Sequence, residues 1–229
     1  MSRYRFLLRL LPAPLRDQVL YFEALIEREV AEWAASLPAG ARVLDAGAGE
    51  GKYAGYFSRH RYVGVDLGIG DATWDYSRLD VVADLAALPF RDRCFDACLN
   101  IVTLEHVPDP RGVLNEIYRA LAPGGRLLLV APQDWEVHQA PHDYFRFTRH
   151  GLRWLLEQAG FHRIELRPAG GFFRLLSRRL LNALQFFPPP LLPAVGLLLV
   201  PPALLAPAFE FLDRERNFTL GYLCRAQKP

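Results

Sequence analysis

The stretch that decides the fold is residues 43–53, Val-Leu-Asp-Ala-Gly-Ala-Gly-Glu-Gly-Lys-Tyr. An apolar run ends there at an acid, Asp45, and glycines follow at every second position, Gly47, Gly49 and Gly51. Such glycines let the chain turn tightly after a strand and let a ligand approach the backbone. The pattern predicts a buried strand that ends in a ligand-binding loop, and a tight turn without a ligand is the alternative.

A nicotinamide dinucleotide is the less favoured ligand for this loop. Folds that bind one carry G-x-G-x-x-G, and Lys52 stands where the third glycine of that spacing would fall. The next apolar run ends at Asp66, 21 residues beyond Asp45. Nucleotide-binding folds hold ribose hydroxyls with an acid at this place, and a helix N-cap is the alternative role for Asp66.

Working outward, short apolar runs alternate with helical patterns. The runs lack clean alternation and so indicate strands buried on both faces, at residues 41–46, 61–66, 80–83, 95–100, 125–131 and 162–167. Helices are predicted at residues 15–37, 52–60, 110–121 and 148–159. Asn217–Cys224 alternates and predicts a last, antiparallel strand. The fold class is therefore α/β, with a doubly wound, mostly parallel, seven-stranded sheet and an apolar helical insert before its last strand.

This pattern divides the chain into an N-terminal helical segment (1–40), an α/β core (41–167), an apolar insert (168–216) and the final strand (217–229). No charged residue occurs from Leu180 to Phe209, and seven prolines interrupt that run. Prolines predict short kinked helices and argue against a single membrane-spanning helix. A lid over the substrate, a contact with lipid and an oligomer interface remain alternatives for the insert, with Arg174, Arg178 and Arg179 predicted to meet anionic headgroups.

Composition narrows the class of protein. With 229 residues, 51% hydrophobic, the chain is long enough for a sizeable core, which excludes disorder as the main state. A net charge of +2 provides no cationic field for nucleic acid. Three cysteines without a C-x-x-C pair indicate a reducing, cytoplasmic location. Met1–Leu11 lacks a clear cleavage pattern, so we expect mature protein there, and Met1–Pro14 could form a second basic amphipathic contact with membrane.

Residues 41–161 resemble the class I S-adenosylmethionine-dependent methyltransferases, in the broad small-molecule group that includes quinone-biosynthesis enzymes. Six segments stand in the family's order: VLDAGAGEGKY, YVGVDL, ADLAALPF, FDACLNIVTLEHVPDP, RALAPGGRLLLVAP and LLEQAGF. The resemblance implies a Rossmann-like methyltransferase fold, S-adenosyl-L-methionine as cofactor, and methyl transfer as the reaction.

The resemblance also implies which residues hold the cofactor. The first loop would cradle the methionine part, the acid after the second strand the ribose, the acid after the third strand the adenine, and the tip of the fourth strand the methionine end. In that order the residues are Asp45, Gly47, Ala48, Gly49 and Gly51; Asp66; Asp84 with Leu85; and Asn100 with Ile101. Leu67 is a further predicted cofactor-binding residue. Capping of a short helix is the alternative role for Asp84.

Methyl transfer from a sulfonium mainly requires a nucleophile held in line, so a general base is optional. Four histidines follow the fourth and fifth strands, where ligands bind in open α/β sheets: His106, His138, His142 and His150. His142 and His106 are the candidate catalytic residues. Base, pocket residue and loop-stabilising hydrogen bond are the alternatives for His142, and a structural helix start is the alternative for His106. No His, Asp or Glu spacing predicts a metal site.

The predicted function is methylation of a small acceptor, hydrophobic or lipid-linked, by a cytoplasmic enzyme with a peripheral membrane contact as an option. Methylases of bases and amides carry a polar-Pro-Pro-aromatic run where this chain has residues 100–103, Asn-Ile-Val-Thr, so nucleic acid is disfavoured. The alternative is a noncatalytic module that binds S-adenosylmethionine or a nucleotide and recruits partners through its apolar insert. The sequence leaves the acceptor atom and the oligomeric state open.

Overall fold

A computed structural model describes residues 13–70 and 73–229 of the chain. In this part, seven strands form one sheet: β1 Arg42–Ala46, β2 Arg61–Asp66, β3 Val81–Val82, β4 Phe95–Ile101, β5 Leu121–Pro132, β6 His162–Pro168 and β7 Gly221–Gln227. Their spatial order is β3-β2-β1-β4-β5-β7-β6. Because β1 pairs in parallel with both β2 and β4, the connections leave β1 toward opposite edges, and β7 runs antiparallel to β5. This architecture confirms the predicted fold class.

The central strands are buried on both faces, as their unbroken apolar runs require. Residues 127–131 of β5 are fully buried, and so are residues 97–99 of β4 beside them. A parallel sheet places the loops after β1 and β4 at one edge, and the reversal of strand order between these two strands is where open α/β sheets bind ligands. The sheet therefore brings the glycine loop and the tip of β4 together.

The helices are α1 Ala13–Val19, α2 Tyr21–Ala35, α3 Pro110–Ala120, α4 Arg149–Gln158, α5 Phe172–Ala183 and α6 Leu192–Leu205. Side-chain caps fix two of these starts. The Asp109 carboxylate accepts the backbone N–H of Gly112 at 3.0 Å before α3, and the Thr148 hydroxyl accepts that of Gly151 at 3.1 Å before α4. The single helix predicted over residues 15–37 is divided at Leu20 into α1 and α2.

The helix predicted at residues 52–60 is wrong. Only a short 3-10 turn forms, Ala54–Phe57, within a run of turns that begins in the glycine loop. Glycine at position 55 lowers helix propensity, and a single aromatic anchors the segment. The Phe57 ring is buried, stacks on Tyr62 at 5.7 Å between ring centroids, and meets Trp33 edge-on at 6.3 Å.

The last strand lies further along the chain than predicted. It covers Gly221–Gln227, not Asn217–Cys224, because its register is fixed by antiparallel pairing with β5, in which Leu129 lies opposite Cys224. The upstream alternation is misleading, since Phe218 is 60% exposed.

The described residues form two compact units. One contains the sheet, residues 28–167 and 221–229, and the other, the apolar unit, contains residues 168–220 with the described part of 1–27. The predicted N-terminal contact at Met1–Pro14 falls outside the described residues except for positions 13 and 14.

Within the apolar unit, two carboxylates that follow the uncharged run cap α5. Glu210 accepts the backbone N–H groups of Gly171 and Arg174, and Asp213 accepts that of Phe172 at 2.7 Å. A carboxylate at a helix N-terminus accepts hydrogen bonds from backbone N–H groups that otherwise lack a partner, and its negative charge interacts favourably with the helix dipole. These hydrogen bonds therefore connect the N-terminus of α5 to the residues that follow the uncharged run.

The uncharged run is less broken than its prolines predict. Helix α6 continues through Pro201 and Pro202, and with its flanking 3-10 turns it forms one helical run, Pro189–Leu212. The run has 24 residues, and its most apolar 18-residue window has a mean hydropathy of 2.0 with only 17% of that window buried. By length and composition alone it could cross a membrane.

Two arginines predicted to meet headgroups are used inside the apolar unit. The Arg174 guanidinium lies over the Tyr21 ring, 4.3 Å from its centroid, and Arg178 pairs with Glu23 at 3.5 Å. The expected role of Arg174 and Arg178 is therefore corrected to one of packing α5 against the residues that precede Glu27.

Candidate cofactor and acceptor site

The glycine loop after β1 needs its glycines for conformation and for space. Gly47, Gly49 and Gly51 have φ values of 96°, 53° and 72°, which L side chains rarely adopt. A Cβ at Gly47 would overlap the Thr103 side chain, and one at Gly49 would lie 3.3 Å from the Trp74 ring. The loop therefore runs directly between residues that follow β4 and residues that follow β2.

Asp66, the predicted ribose ligand, holds this loop against the end of β2. Its Oδ2 accepts the backbone N–H of Gly49 at 3.0 Å, and its Oδ1 accepts that of Gly68 at 2.8 Å. Each carboxylate oxygen has a second lone pair, so two hydroxyl donors can still be accepted. The carboxylate is partly exposed, which leaves it accessible to a ligand.

Asp45 is buried at the end of β1 and is only half satisfied. Its Oδ2 accepts the Tyr62 hydroxyl at 2.6 Å, while its Oδ1 has no hydrogen-bond partner among the described residues. Burial raises the pKa of Asp45 to about 7; the Tyr62 hydrogen bond opposes this rise and the charge of Asp66 adds to it. Near neutral pH, this carboxyl is therefore poised to ionise when a positive group arrives.

The tip of β4 presents a second buried acceptor. The Asn100 side chain donates from Nδ2 to the Ala46 carbonyl at 2.8 Å, but its Oδ1 has no partner in the described part of the chain. Ile101 beside it is buried. Val102 then adopts a φ of 51°, a strained value for a β-branched residue and a recurrent feature of functional sites.

The remaining predicted cofactor residues differ in their exposure to solvent. Leu67 is 43% exposed at the end of β2, and Ala48 is buried in the glycine loop. Asp84 is exposed and caps the 3-10 turn Leu85–Ala87 by accepting the Ala86 N–H at 2.8 Å. Leu85 packs into the sheet's hydrophobic core, so a contact with adenine would have to come from its backbone.

These residues fit S-adenosylmethionine on observations of this structure. The buried acceptors without partners, Asp45 Oδ1 and Asn100 Oδ1, lie at the ends of adjacent strands. A buried acceptor costs free energy unless a donor reaches it, and an ammonium group is such a donor.

The structure brings the two candidate catalytic histidines together through the backbone. His106 Nδ1 lies 2.6 Å from the His142 carbonyl oxygen, so that nitrogen carries the proton and Nε2 holds the lone pair. Burial lowers the pKa of His106, opposed by its bond to this carbonyl. The His142 ring is partly exposed, with Nδ1 3.1 Å from the Tyr144 hydroxyl. His150 lies apart, exposed on α4.

Arg146 holds the loop that carries His138 and His142. Its guanidinium donates to both oxygens of Asp143, at 2.6 and 2.8 Å, and to the carbonyls of Trp135 and Glu136. This guanidinium keeps the pKa of Asp143 well below its usual range. Asp143 also accepts the His138 backbone N–H at 2.8 Å. The acid next to His142 in sequence therefore orients Arg146 and His138, not His142.

Sequence reasoning missed three residues around the glycine loop: Thr103, Trp74 and Tyr76. Thr103 Oγ1 donates toward the Gly47 and Ile101 carbonyls at 3.3 and 3.1 Å. The Tyr76 hydroxyl accepts the Gly70 N–H at 2.8 Å beside Trp74. The available sequence signal for Trp74 and Tyr76 was a pair of aromatic residues, separated by one position, in a segment after β2 that is otherwise mostly polar.

Comparison with known proteins identifies the same region. A family model described as a methyltransferase domain matches residues 44–129. An uncharacterized methyltransferase of Mycobacterium sp. (strain JLS) is 40% identical over 99 residues, 40% of this chain and 39% of the relative. A tRNA (carboxymethyluridine(34)-5-O)-methyltransferase of Arabidopsis thaliana is 32% identical over 116 residues, 48% of this chain and 28% of the relative. The chain thus spans about two fifths or less of the length of these relatives.

Solved structures share the fold. A Burkholderia thailandensis 1,6-didemethyltoxoflavin-N1-methyltransferase with bound S-adenosylhomocysteine superposes with a TM-score of 0.56 at 20% identity, covering 95% of this chain and 91% of that one. The [4+2]-cyclase SpnF superposes with a TM-score of 0.57 at 21% identity, covering 89% and 80%. Residues 44–129 therefore match a methyltransferase domain, and the sheet that contains them shares its fold with solved methyltransferases.

Proposed function

We propose that this chain transfers a methyl group from S-adenosylmethionine to a small acceptor that is hydrophobic or lipid-linked. The observation that carries the cofactor half is the pair of buried, unpartnered oxygens of Asp45 and Asn100 beside a glycine loop. When bound, the cofactor supplies an electrophilic methyl group on a sulfonium, so the reaction needs no further activation of the donor.

The chain's own residues would then bind and orient. Asp45 and Asn100 accept from the ammonium group, and Asp66 accepts from the ribose hydroxyls with its remaining lone pairs. Leu67 and the backbone at Leu85, with Asp84 nearby, contact the adenine. His142, partly exposed and next to Tyr144, lines the acceptor pocket and can take a proton when the acceptor is a hydroxyl or an amine.

The acceptor half of the proposal rests on the apolar unit. Phe186 and Leu197 are each 80% exposed, Leu198 is 71% exposed and Phe211 is 72% exposed. Surface of this kind marks a site that meets lipid or an apolar ligand. With two nearby arginines used in packing, the proposed membrane contact depends on apolar area more than on charge. We therefore place the enzyme on the cytoplasmic face of a membrane.

Calorimetric titration with S-adenosylmethionine and with NAD tests the cofactor half. We expect binding of S-adenosylmethionine only, and binding of NAD alone would overturn the assignment.

Incubation with radiolabelled cofactor, first with a lipid extract and then with bulk tRNA, tests the acceptor. Label in the lipid fraction supports the proposal. Cofactor binding without transfer to any fraction favours the noncatalytic module, and label in tRNA moves the acceptor to nucleic acid.

Liposome flotation tests the membrane contact. The full chain should float with liposomes, while a variant with Leu180–Phe209 replaced by a short polar linker should stay in the dense fraction and still bind cofactor. A double variant, Leu197→Gln with Leu198→Gln, makes the same test without a deletion. A full chain that is monomeric and indifferent to liposomes would make the insert a lid over substrate.

A further inference from the structure

The residues after β4 and β5 contain a group of side chains to which the proposed function above assigns no step. Glu105, His106 and His138 each offer a ligand atom within 4.8 Å of the others. The sequence predicts no metal site, because Glu105 and His106 are neighbours and His138 follows 32 positions after His106, a spacing that matches no metal motif. The fold assembles the group by placing the loops after β4 and β5 side by side.

Glu105 is the unusual member. Its carboxylate is completely buried, and neither oxygen has a hydrogen-bond partner among the described residues. Its backbone carbonyl, by contrast, accepts the N–H groups of Tyr144 and Phe145 at 2.9 and 3.2 Å. A buried carboxylate without donors is strongly unfavourable unless a proton or a cation accompanies it.

The tautomers of both histidines leave lone pairs available for a ligand. His106 Nδ1 is held by the His142 carbonyl, so Nε2 is unprotonated, and it lies 3.7 Å from Glu105 Oε1 without a hydrogen-bond partner. His138 Nδ1 lies 3.0 Å from the Glu136 carbonyl oxygen, which leaves its Nε2 lone pair available as well. Metal-binding histidines are typically oriented in this way by a bond from the other ring nitrogen.

Two acceptors that face each other at 3.7 Å, Glu105 Oε1 and His106 Nε2, repel unless a positive charge lies between them. We propose that Glu105, His106 and His138 form a binding site for a divalent transition-metal ion such as Zn²⁺. Two imidazoles and one carboxylate are a donor set that Zn²⁺ accepts in three-ligand sites, with one position left for water or a ligand oxygen. Bonds of about 2.0–2.1 Å would require the three side chains to close by about an ångström.

The surroundings favour this ion further. The His106 and His138 rings meet edge-on, 4.6 Å between centroids, so the two imidazoles are close neighbours. Asp143, fixed by Arg146, lies 3.5 Å from His138 Nδ1 and accepts its backbone N–H, so it supports the ligand from outside the group. The metal site does not depend on the proposed function.

Zn²⁺ titration of the full chain, purified with chelator and without cofactor, tests the proposal. We expect one equivalent to bind in the micromolar range or tighter, to raise the melting temperature, and to be replaceable by Co²⁺ with the visible absorption of a low-coordinate site. His138→Ala, at a partly exposed position, should weaken binding by at least about tenfold. His150→Ala is the matched control and should bind normally.

The outcomes separate this proposal from the proposed function. Absence of stoichiometric Zn²⁺ binding, or equal binding in His138→Ala and wild type, overturns the metal site. Should Glu105→Gln or His106→Ala misfold, the His138 variant still decides, provided that its melting temperature without Zn²⁺ matches wild type. S-adenosylmethionine titration on the same samples reads out the cofactor site independently, so either proposal can fail alone.

Discussion

Residues 127–131 of strand β5 and helix α6 are both uncharged and rich in leucine, but the fold buries the first and exposes much of the second. In β5, residues 127–131 are completely buried between β4 and β7. In α6, Leu197 and Leu198 are 80% and 71% exposed. Burial of apolar surface stabilises by about 25 cal/mol per Å², so β5 contributes to folding and the exposed face of α6 contributes almost nothing.

The difference teaches where each region can work. A fully buried strand acts only through its end, where the loops after β1, β4 and β5 gather polar groups. An exposed apolar helix acts through its length, against lipid or an apolar ligand. Substitutions at matched positions in the two regions should therefore have different readouts.

The largest expected effect is on folding. Leu128→Ala in β5 should lower the free energy of unfolding by about 2–5 kcal/mol, because it opens a cavity in a closed core. Leu197→Ala in α6 should change it by less than about 0.5 kcal/mol. Urea denaturation followed by circular dichroism measures both, and a large loss at Leu197 would mean that this face is buried in solution.

Next is the glycine loop. Gly47→Ala and Gly40→Ala both place a side chain at positive φ, which costs about 1–2 kcal/mol. Only the Gly47 variant also meets a neighbour, Thr103, since nothing lies within 4 Å of a Cβ at Gly40. We expect both to lose stability and only Gly47→Ala to lose cofactor affinity, by more than about tenfold on calorimetric titration. Equal affinities would remove the loop from the site.

Asp66→Ala removes a charged acceptor at the end of β2. Such hydrogen bonds contribute about 1.5–3 kcal/mol, so S-adenosylmethionine should bind at least about tenfold more weakly. The same substitution should leave liposome flotation unchanged, because it lies outside the apolar unit. Normal affinity in this variant would place the ribose elsewhere.

Cofactor affinity should depend on pH through Asp45. Its pKa is raised to about 7 when no ligand is bound, so below pH 7 the carboxyl is protonated and must release that proton to pair with an ammonium group. Affinity should then fall by about tenfold per pH unit below pH 7. Asp45→Asn should flatten this profile, and a wild-type profile that is already flat between pH 5 and 8 contradicts the pairing.

The smallest effect is expected at the acceptor side. His142→Ala should lower turnover by about tenfold or more if a base is used and by less if His142 only lines the pocket, with cofactor affinity unchanged. His150→Ala on α4 is the matched control. Equal turnover in all three proteins would show that His142 does not contribute to the reaction.

Much of the core could be predicted from sequence because its signals are local. β2 was predicted at residues 61–66 and is observed at Arg61–Asp66. The acid and glycines after β1 placed the ligand loop. Prediction failed where contacts with distant residues determine the local structure. Residues 52–60 form a short turn instead of a helix, with Phe57 stacked on Tyr62, and the last strand lies where it pairs with β5.

The same distinction between local signals and distant contacts applies to the predicted site residues. Asp66 and the glycines are close together because they follow neighbouring strands, which the order of elements implies. Leu85 was named as an adenine contact, yet its side chain is in the core, because the face that a residue presents depends on packing. Asp143 directly follows His142 in sequence, yet its carboxylate accepts hydrogen bonds from Arg146. Adjacent residues in sequence need not point toward each other.

The sequence by itself determined the α/β class, the glycine loop with its acid, and an uncharged run too apolar to ignore. These are properties of periodicity and composition, which each segment carries alone. The tertiary structure alone decided that Glu105, His106 and His138 converge, that Asp45 and Asn100 keep unpartnered oxygens, and that Pro189–Leu212 forms one helical run. Such features depend on which strands are neighbours and which side chains find partners, and those long-range contacts have no signature at any single position.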